Sequence, residues 1–198
     1  MTTQTASPTR RDLLKLGAGA LTLAAIPRRL FAAEKENDSP VVMRCCVMSD
    51  VHFNGSENDK EVARFRHAID LTYKYAESQP YDKFDALVVV GDMSNHGLPE
   101  QLKLFKKTMD ESVREGTQKL LCMGNHEFFK VNQEIWKSIM QVEPNSRYEV
   151  NGFQFVAISL NSGGCRNGDY LYASEWIEEQ VAAASAADPA KPFFTFQH

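Results

Sequence analysis

No apolar run in the 198 residues reaches the roughly eighteen needed to span a bilayer, and the stretch near the start, 16–26, falls short of it. CxxC spacing is also missing. The four cysteines, Cys45, Cys46, Cys122 and Cys165, therefore fit neither a zinc knuckle nor a disulfide framework, and at most one bridge stays open. Three of them sit in apolar runs where a free Cys behaves as a small buried hydrophobe, and Cys165 sits in a loop. Internal repeats and low-complexity tracts are absent apart from an Ala-rich stretch near residue 185. With 43% apolar and 24% charged residues, the composition is that of a soluble globular chain and excludes fibrous or disordered proteins.

Residues 1–33 stand apart from the fold. Arg10 and Arg11 are followed by Leu13, Leu14 and Lys15 and then by the short Gly/Ala-rich apolar stretch, which resembles a twin-arginine export signal. Cleavage near Ala32 or Ala33 is expected, then a polar linker over 34–40 and a single domain over 41–198. The expected location is periplasmic or secreted, with the twin-arginine machinery as a partner and no stable membrane span in the mature protein. Removing 1–33 takes away five of the 22 Lys and Arg and one of the 26 Asp and Glu, leaving a net charge of about −8. That balance argues against nucleic acid as an obligatory partner, because phosphate-backbone contacts need clustered Lys and Arg. It leaves room for a small phosphoester whose charge is met by metal ions.

Past the linker, strands are predicted over 41–49, 86–90 and 120–123, the second apolar on both faces as in a parallel sheet covered by helices. Helices are predicted over 61–77, where Val62, Phe65, Ile69, Leu71, Tyr73 and Ala76 form the apolar set, and over 99–114 and 131–142. Phe53 opens a loop that runs to Asp59. Asn151-Gly152 between two strand-like runs, 147–150 and 153–160, signals a β-hairpin. A Gly-rich loop over 161–169, a helix from an N-cap at Ser174 through Ala187, and a strand over 193–196 complete a mixed α/β fold.

Four predicted strands end on polar groups: Asp50-Val51-His52, Gly91-Asp92, Gly124-Asn125-His126-Glu127 and Gln197-His198. Ligands in open α/β sheets bind beyond the carboxyl ends of strands, so this set reads as a metal site. Asp50 and His52 are two apart and project to one face, Gly91 lets the chain turn Asp92 over the sheet edge, and Asn125 offers a neutral oxygen. His126, turned the other way in its loop, is free for proton transfer. A carboxylate and imidazole set suits Mn, Fe or Zn better than Ca or Mg. His67 reads as a solvated or packed helix residue, and His96, Asn161 and Arg166 as residues near the pocket by position alone.

These motifs, with Asn95 and Gly97 after Gly91-Asp92, resemble the calcineurin-like metallophosphoesterase superfamily over 41–198. The resemblance implies a four-layered α/β/β/α sandwich of mixed sheets around two divalent or trivalent metal ions. Asp50 and His52 would bind the first, Asp92 would bridge, Asn125 and His198 would bind the second, and His126 would be the general acid or a transition-state stabiliser. The implied activity is hydrolysis of a phosphate monoester or diester. The family also carries a GHxH motif whose imidazoles complete the two metal shells. This chain has none and stops at His198, so the resemblance implies a domain whose C-terminal part is missing and whose activity is weakened. The alternative functions are an inactive remnant that binds metal or phosphate without hydrolysis, and a nuclease, against which the acidic mature surface argues.

Overall fold

The computed structural model describes residues 40–159 and 173–198. The leader, most of the linker and the loop carrying Asn161, Cys165 and Arg166 lie outside them. Strands β1 (Cys45–Ser49), β2 (Ala86–Val90) and β3 (Gln118–Cys122) form one parallel sheet in the order β1-β2-β3. A second, mixed sheet holds β4 (Ser146–Val150), β5 (Phe153–Ile158) and β6 (Phe194–Gln197), with β4 antiparallel and β6 parallel to β5. The helices are α1 (Lys60–Glu77), α2 (Pro99–Ser112), α3 (Gln133–Met140) and α4 (Ser174–Ala187).

Alternation along β2 sets the layers. Leu87 and Val89 join Leu121 and Met123 in a core with the helices, whereas Ala86, Val88 and Leu120 pack against Val150 and Phe155 of the second sheet. Helices thus cover only one face of β2, and the second sheet covers the other, which corrects the reading of helices on both sides. A uniformly apolar strand is compatible with either cover, because burial on both faces is all that its composition records. Val156 and Ile158 turn to α4, where they meet Trp176, Ile177 and Ala184. The sequence of layers is helices, sheet, sheet, helix: the four-layered α/β/β/α sandwich.

Several boundaries move for identifiable reasons. β1 starts at Cys45, not at 41, because the Arg44 N–H goes to the Asp85 carboxylate at 2.7 Å before the ladder begins at Cys45 opposite Ala86. Leu71 is half exposed, since it lies two residues beyond the buried Ile69 and so on the far side of α1. In α3 the Asn132 side chain caps the start by accepting from the Ile135 N–H at 2.9 Å, and Gln141 ends the helix at φ 61°. Ser174 is the first residue of α4 and not its cap; Ala173 stands at the cap and has no side-chain acceptor.

At the end of the sheets opposite the polar strand endings, Asn151 and Gly152 turn the hairpin with φ 51° and 77°. The Asn151 amide reaches the Asp85 carboxylate at 2.9 Å, and the Tyr81 hydroxyl meets the same carboxylate at 2.8 Å. One nearly buried carboxylate therefore ties the start of β1, the loop before β2 and the turn of the second sheet. Asp85→Ala leaves these donors without their acceptor, so stability should fall by about 2–3 kcal/mol. The melting temperature should drop by roughly 4–12 °C, measurable by thermal denaturation.

Candidate metal centre

The residues after β1 and β2 run on as a zipped ribbon. The His52 N–H donates to the Asp92 carbonyl at 3.0 Å, Phe53 to Met93 at 2.9 Å, and Asn95 back to Phe53 at 3.0 Å. Phe53 anchors this ribbon: it is fully buried and packs edge-on against Phe65 of α1 and Phe105 of α2 at 5.9 and 5.6 Å between ring centres. The loop expected from Phe53 onward is thus pinned at its first residue. Asp50, His52 and Asp92 all adopt left-handed backbone, at φ 57°, 48° and 51°. Among the described residues the two other non-glycine positions with positive φ are a helix end and the hairpin turn, so the remaining strained positions concentrate at one place.

Asp92 is the hub. Its Oδ2 lies 3.3 Å from His198 Nε2, 3.8 Å from His52 Nε2 and 3.9 Å from His126 Nε2, while its Oδ1 accepts the His126 backbone N–H at 2.9 Å. His52 Nε2 is also 3.6 Å from Asp50 Oδ1, and His198 Nε2 is 3.0 Å from Asn125 Oδ1. Two groups of donor atoms, His52-Asp92-His126 and Asp50-Asp92-His198, each gather within 4.8 Å, and Asp92 belongs to both. All six residues singled out from the strand endings therefore meet here. His126 is the exception in direction, because its ring converges on Asp92 where the sequence reading had it turned away.

The chemistry of this donor set fits a cation. The His126 Nδ1 meets the Asn95 carbonyl at 2.6 Å and the His198 Nδ1 meets the Val90 carbonyl at 3.0 Å. A carbonyl only accepts, so the proton of each neutral ring sits on Nδ1 and the Nε2 lone pair points at Asp92. His52 Nδ1 is buried with no hydrogen-bond partner, which leaves Nε2 as its ring's polar contact. Among the described residues the ion-pair partners of Asp50 and Asp92 are imidazoles alone, with no Lys or Arg. Carboxylate oxygens, imidazole lone pairs and an amide oxygen facing one another are what a divalent ion resolves.

Glu127 was quoted in the motif but given no task by the sequence reading. It is fully buried and its carboxylate accepts from the N–H groups of Asp92 at 3.0 Å, Ser94 at 3.0 Å and Gly124 at 2.8 Å, and from the Ser94 hydroxyl at 3.0 Å. Burial pushes its carboxyl above the usual carboxylate range; the hydrogen bonds of Ser94 and Gly124 oppose that, and the charge of Asp92 adds to it. The available signal was an acid wedged between a strand-end turn and two phenylalanines.

His67 is exposed on α1, and His96 is exposed beside Asn95, its Nε2 3.2 Å from the Asn95 amide nitrogen. Burial pushes the Cys122 thiol up to about 12 and the Cys45 thiol up to about 11, so neither offers a thiolate at neutral pH. Cys45, Cys46 and Cys122 are all unbridged. A family model for calcineurin-like phosphoesterases matches residues 43–198, and no curated protein matches the chain.

Proposed function

The chain belongs to the calcineurin-like phosphoesterase family, and from that premise we propose that it hydrolyses a phosphate monoester or diester at two metal ions sharing Asp92. The single observation that carries the reading is the double membership of Asp92, whose carboxylate gathers with His52 and His126 in one group and with Asp50 and His198 in another. As the family resemblance implies, Asp50 and His52 would hold one ion, and Asn125 with His198 the other. When bound, such a pair of Mn, Fe or Zn ions supplies a water of lowered pKa and offsets charge on the phosphoryl oxygens.

The remaining work falls to His126. Its Nδ1–H is held by the Asn95 carbonyl, which fixes the ring and aims Nε2 into the centre. The ring of Phe129 lies 4.7 Å away and restricts its rotation. A proton carried on Nε2 would pass to the leaving oxygen as its bond to phosphorus breaks, and the Asn95 carbonyl would steady the charged ring. His126→Gln is expected to cut turnover by about 10²–10⁴-fold with metal content retained. Loss of metal in that variant would instead make His126 a ligand, the role its nearness to His52 and Asp92 also permits.

The second reading, a protein that holds metal or phosphate without hydrolysis, draws on the openness of one flank: the Asp50 side chain is 56% exposed. Metal stoichiometry measured alongside hydrolysis of a generic phosphodiester and a phosphomonoester decides between them. Turnover that tracks bound metal supports the enzyme, and bound metal with neither ester consumed supports the binder. We propose further that residues 1–33 direct twin-arginine export to the periplasm or beyond. A reporter fused to them should be exported with Arg10 and Arg11 intact and retained when both become Lys.

A further inference from the structure

Two turns must hold their spacing for the centre to exist, the one after β2 that carries Asp92 and the one after β3 that carries Asn125 and His126. They are clasped in both directions. The His126 N–H on the second turn donates to the Asp92 carboxylate at 2.9 Å, and the Asp92 N–H on the first donates to the Glu127 carboxylate at 3.0 Å. Glu127 Oε2 also takes the Gly124 N–H at 2.8 Å, so a single oxygen joins the backbones of both turns, while Oε1 takes the N–H and hydroxyl of Ser94.

We propose that Glu127 is the positioning residue of the metal centre: its carboxylate sets the separation of the two turns and thereby brings Asp92 and Asn125 to ligating distance and His126 into the centre beside them. The inference rests on the metal reading above.

The amide analogue cannot take its place. A carboxylate accepts at about four lone-pair positions, and four neutral donors fill them. Glutamine keeps the shape but turns one oxygen into a donor. Placed toward Ser94, the amide nitrogen faces the Ser94 N–H; placed the other way, it faces the N–H groups of both Asp92 and Gly124. Either orientation sets donor against donor at a fully buried site, and the turns must part. No Lys or Arg is among the partners of this buried carboxylate in the described residues, so the clasp is made by backbone and hydroxyl donors alone.

The test compares the mature wild-type chain with Glu127→Gln, using Mn(II) alone as probe. Affinity is read by competition with a chelating dye, and the metal-free fold by circular dichroism and melting. Residues that orient metal ligands typically contribute 10–100-fold to affinity, so E127Q should bind Mn(II) about 10–100-fold more weakly. Its metal-free spectrum should be unchanged, and the rise in melting temperature on adding Mn(II) should shrink. A folded E127Q with wild-type affinity overturns the proposal, as does one that only melts lower without metal while binding as before. If E127Q does not fold, Ser94→Ala decides: it removes one of the four donors and keeps the rest, so weakened affinity supports the role and unchanged affinity overturns it. A wild-type chain that takes up no Mn(II) overturns the metal reading itself, and the inference with it.

Discussion

Asp92→Asn should leave the chain folded and abolish metal binding on both flanks together, with hydrolysis lost in parallel. The new amide can still present an oxygen to the His126 N–H, which Asp92 Oδ1 now accepts at 2.9 Å, so the clasp between the turns survives. The other position becomes an NH₂ group aimed at the His52, His126 and His198 Nε2 atoms, which are 3.3 to 3.9 Å from Asp92 Oδ2. Those lone pairs gain a donor and no longer share a charge with a cation. Affinity should fall by more than the 10–100-fold or so typical of residues outside the ligand set. Asp50→Asn, by contrast, touches one group only and should spare the other. Elemental analysis after equilibrium dialysis separates the outcomes: retention of one full equivalent in D92N would mean that the two groups do not depend on a shared carboxylate.

Gly124→Ala should damage both stability and the centre. A methyl group built there overlaps the Asp92 carboxylate, lies 2.5 Å from the Asp92 nitrogen and 3.0 Å from the Gly91 Cα. None of these is the loose end of a flexible chain, so the backbone of one turn has to move. Overpacking of this kind costs typically 1–3 kcal/mol, and here the displaced atoms are those that carry the ligands. Gly116→Ala is the control. It sits at φ 90° with nothing within 4 Å of the added carbon, so it bears a conformational cost but no collision. The expected pattern is a lower melting temperature in both variants and lost metal affinity only in G124A.

The polar residues of the centre were legible because each follows an apolar run abruptly, and a chain that spends Asp, His, Asn and His at strand ends leaves a pattern in one dimension. The order of strands and helices was legible for a similar reason, since periodicity and turn residues such as Asn151 and Gly152 are local. Phe53, Glu127 and Asp85 escaped because their meaning lies in partners as far as 66 residues away or on other elements. Phe53 looked like the first residue of a loop, and only the rings of Phe65 and Phe105 make it an anchor. An alternation along β2 between two different neighbours cannot be told from simple burial when every residue is apolar. The direction of the His126 ring depended on the Asn95 carbonyl, which no spacing rule reveals.

The parentage of the two donor groups has a consequence for the order in which the protein comes together. His52, Asp92 and His126 all issue from the first, parallel sheet, so that half can assemble as soon as β3 has docked beside β2. The Asp50-Asp92-His198 half waits for the other sheet, because His198 follows β6, and β6 reaches its place beside β5 through a crossover containing α4. Joining residues 50 and 198 is among the longest closures the topology demands, and such contacts form late. A chain whose second sheet has not yet closed would thus hold the His52-Asp92-His126 group assembled before the Asp50-Asp92-His198 group exists.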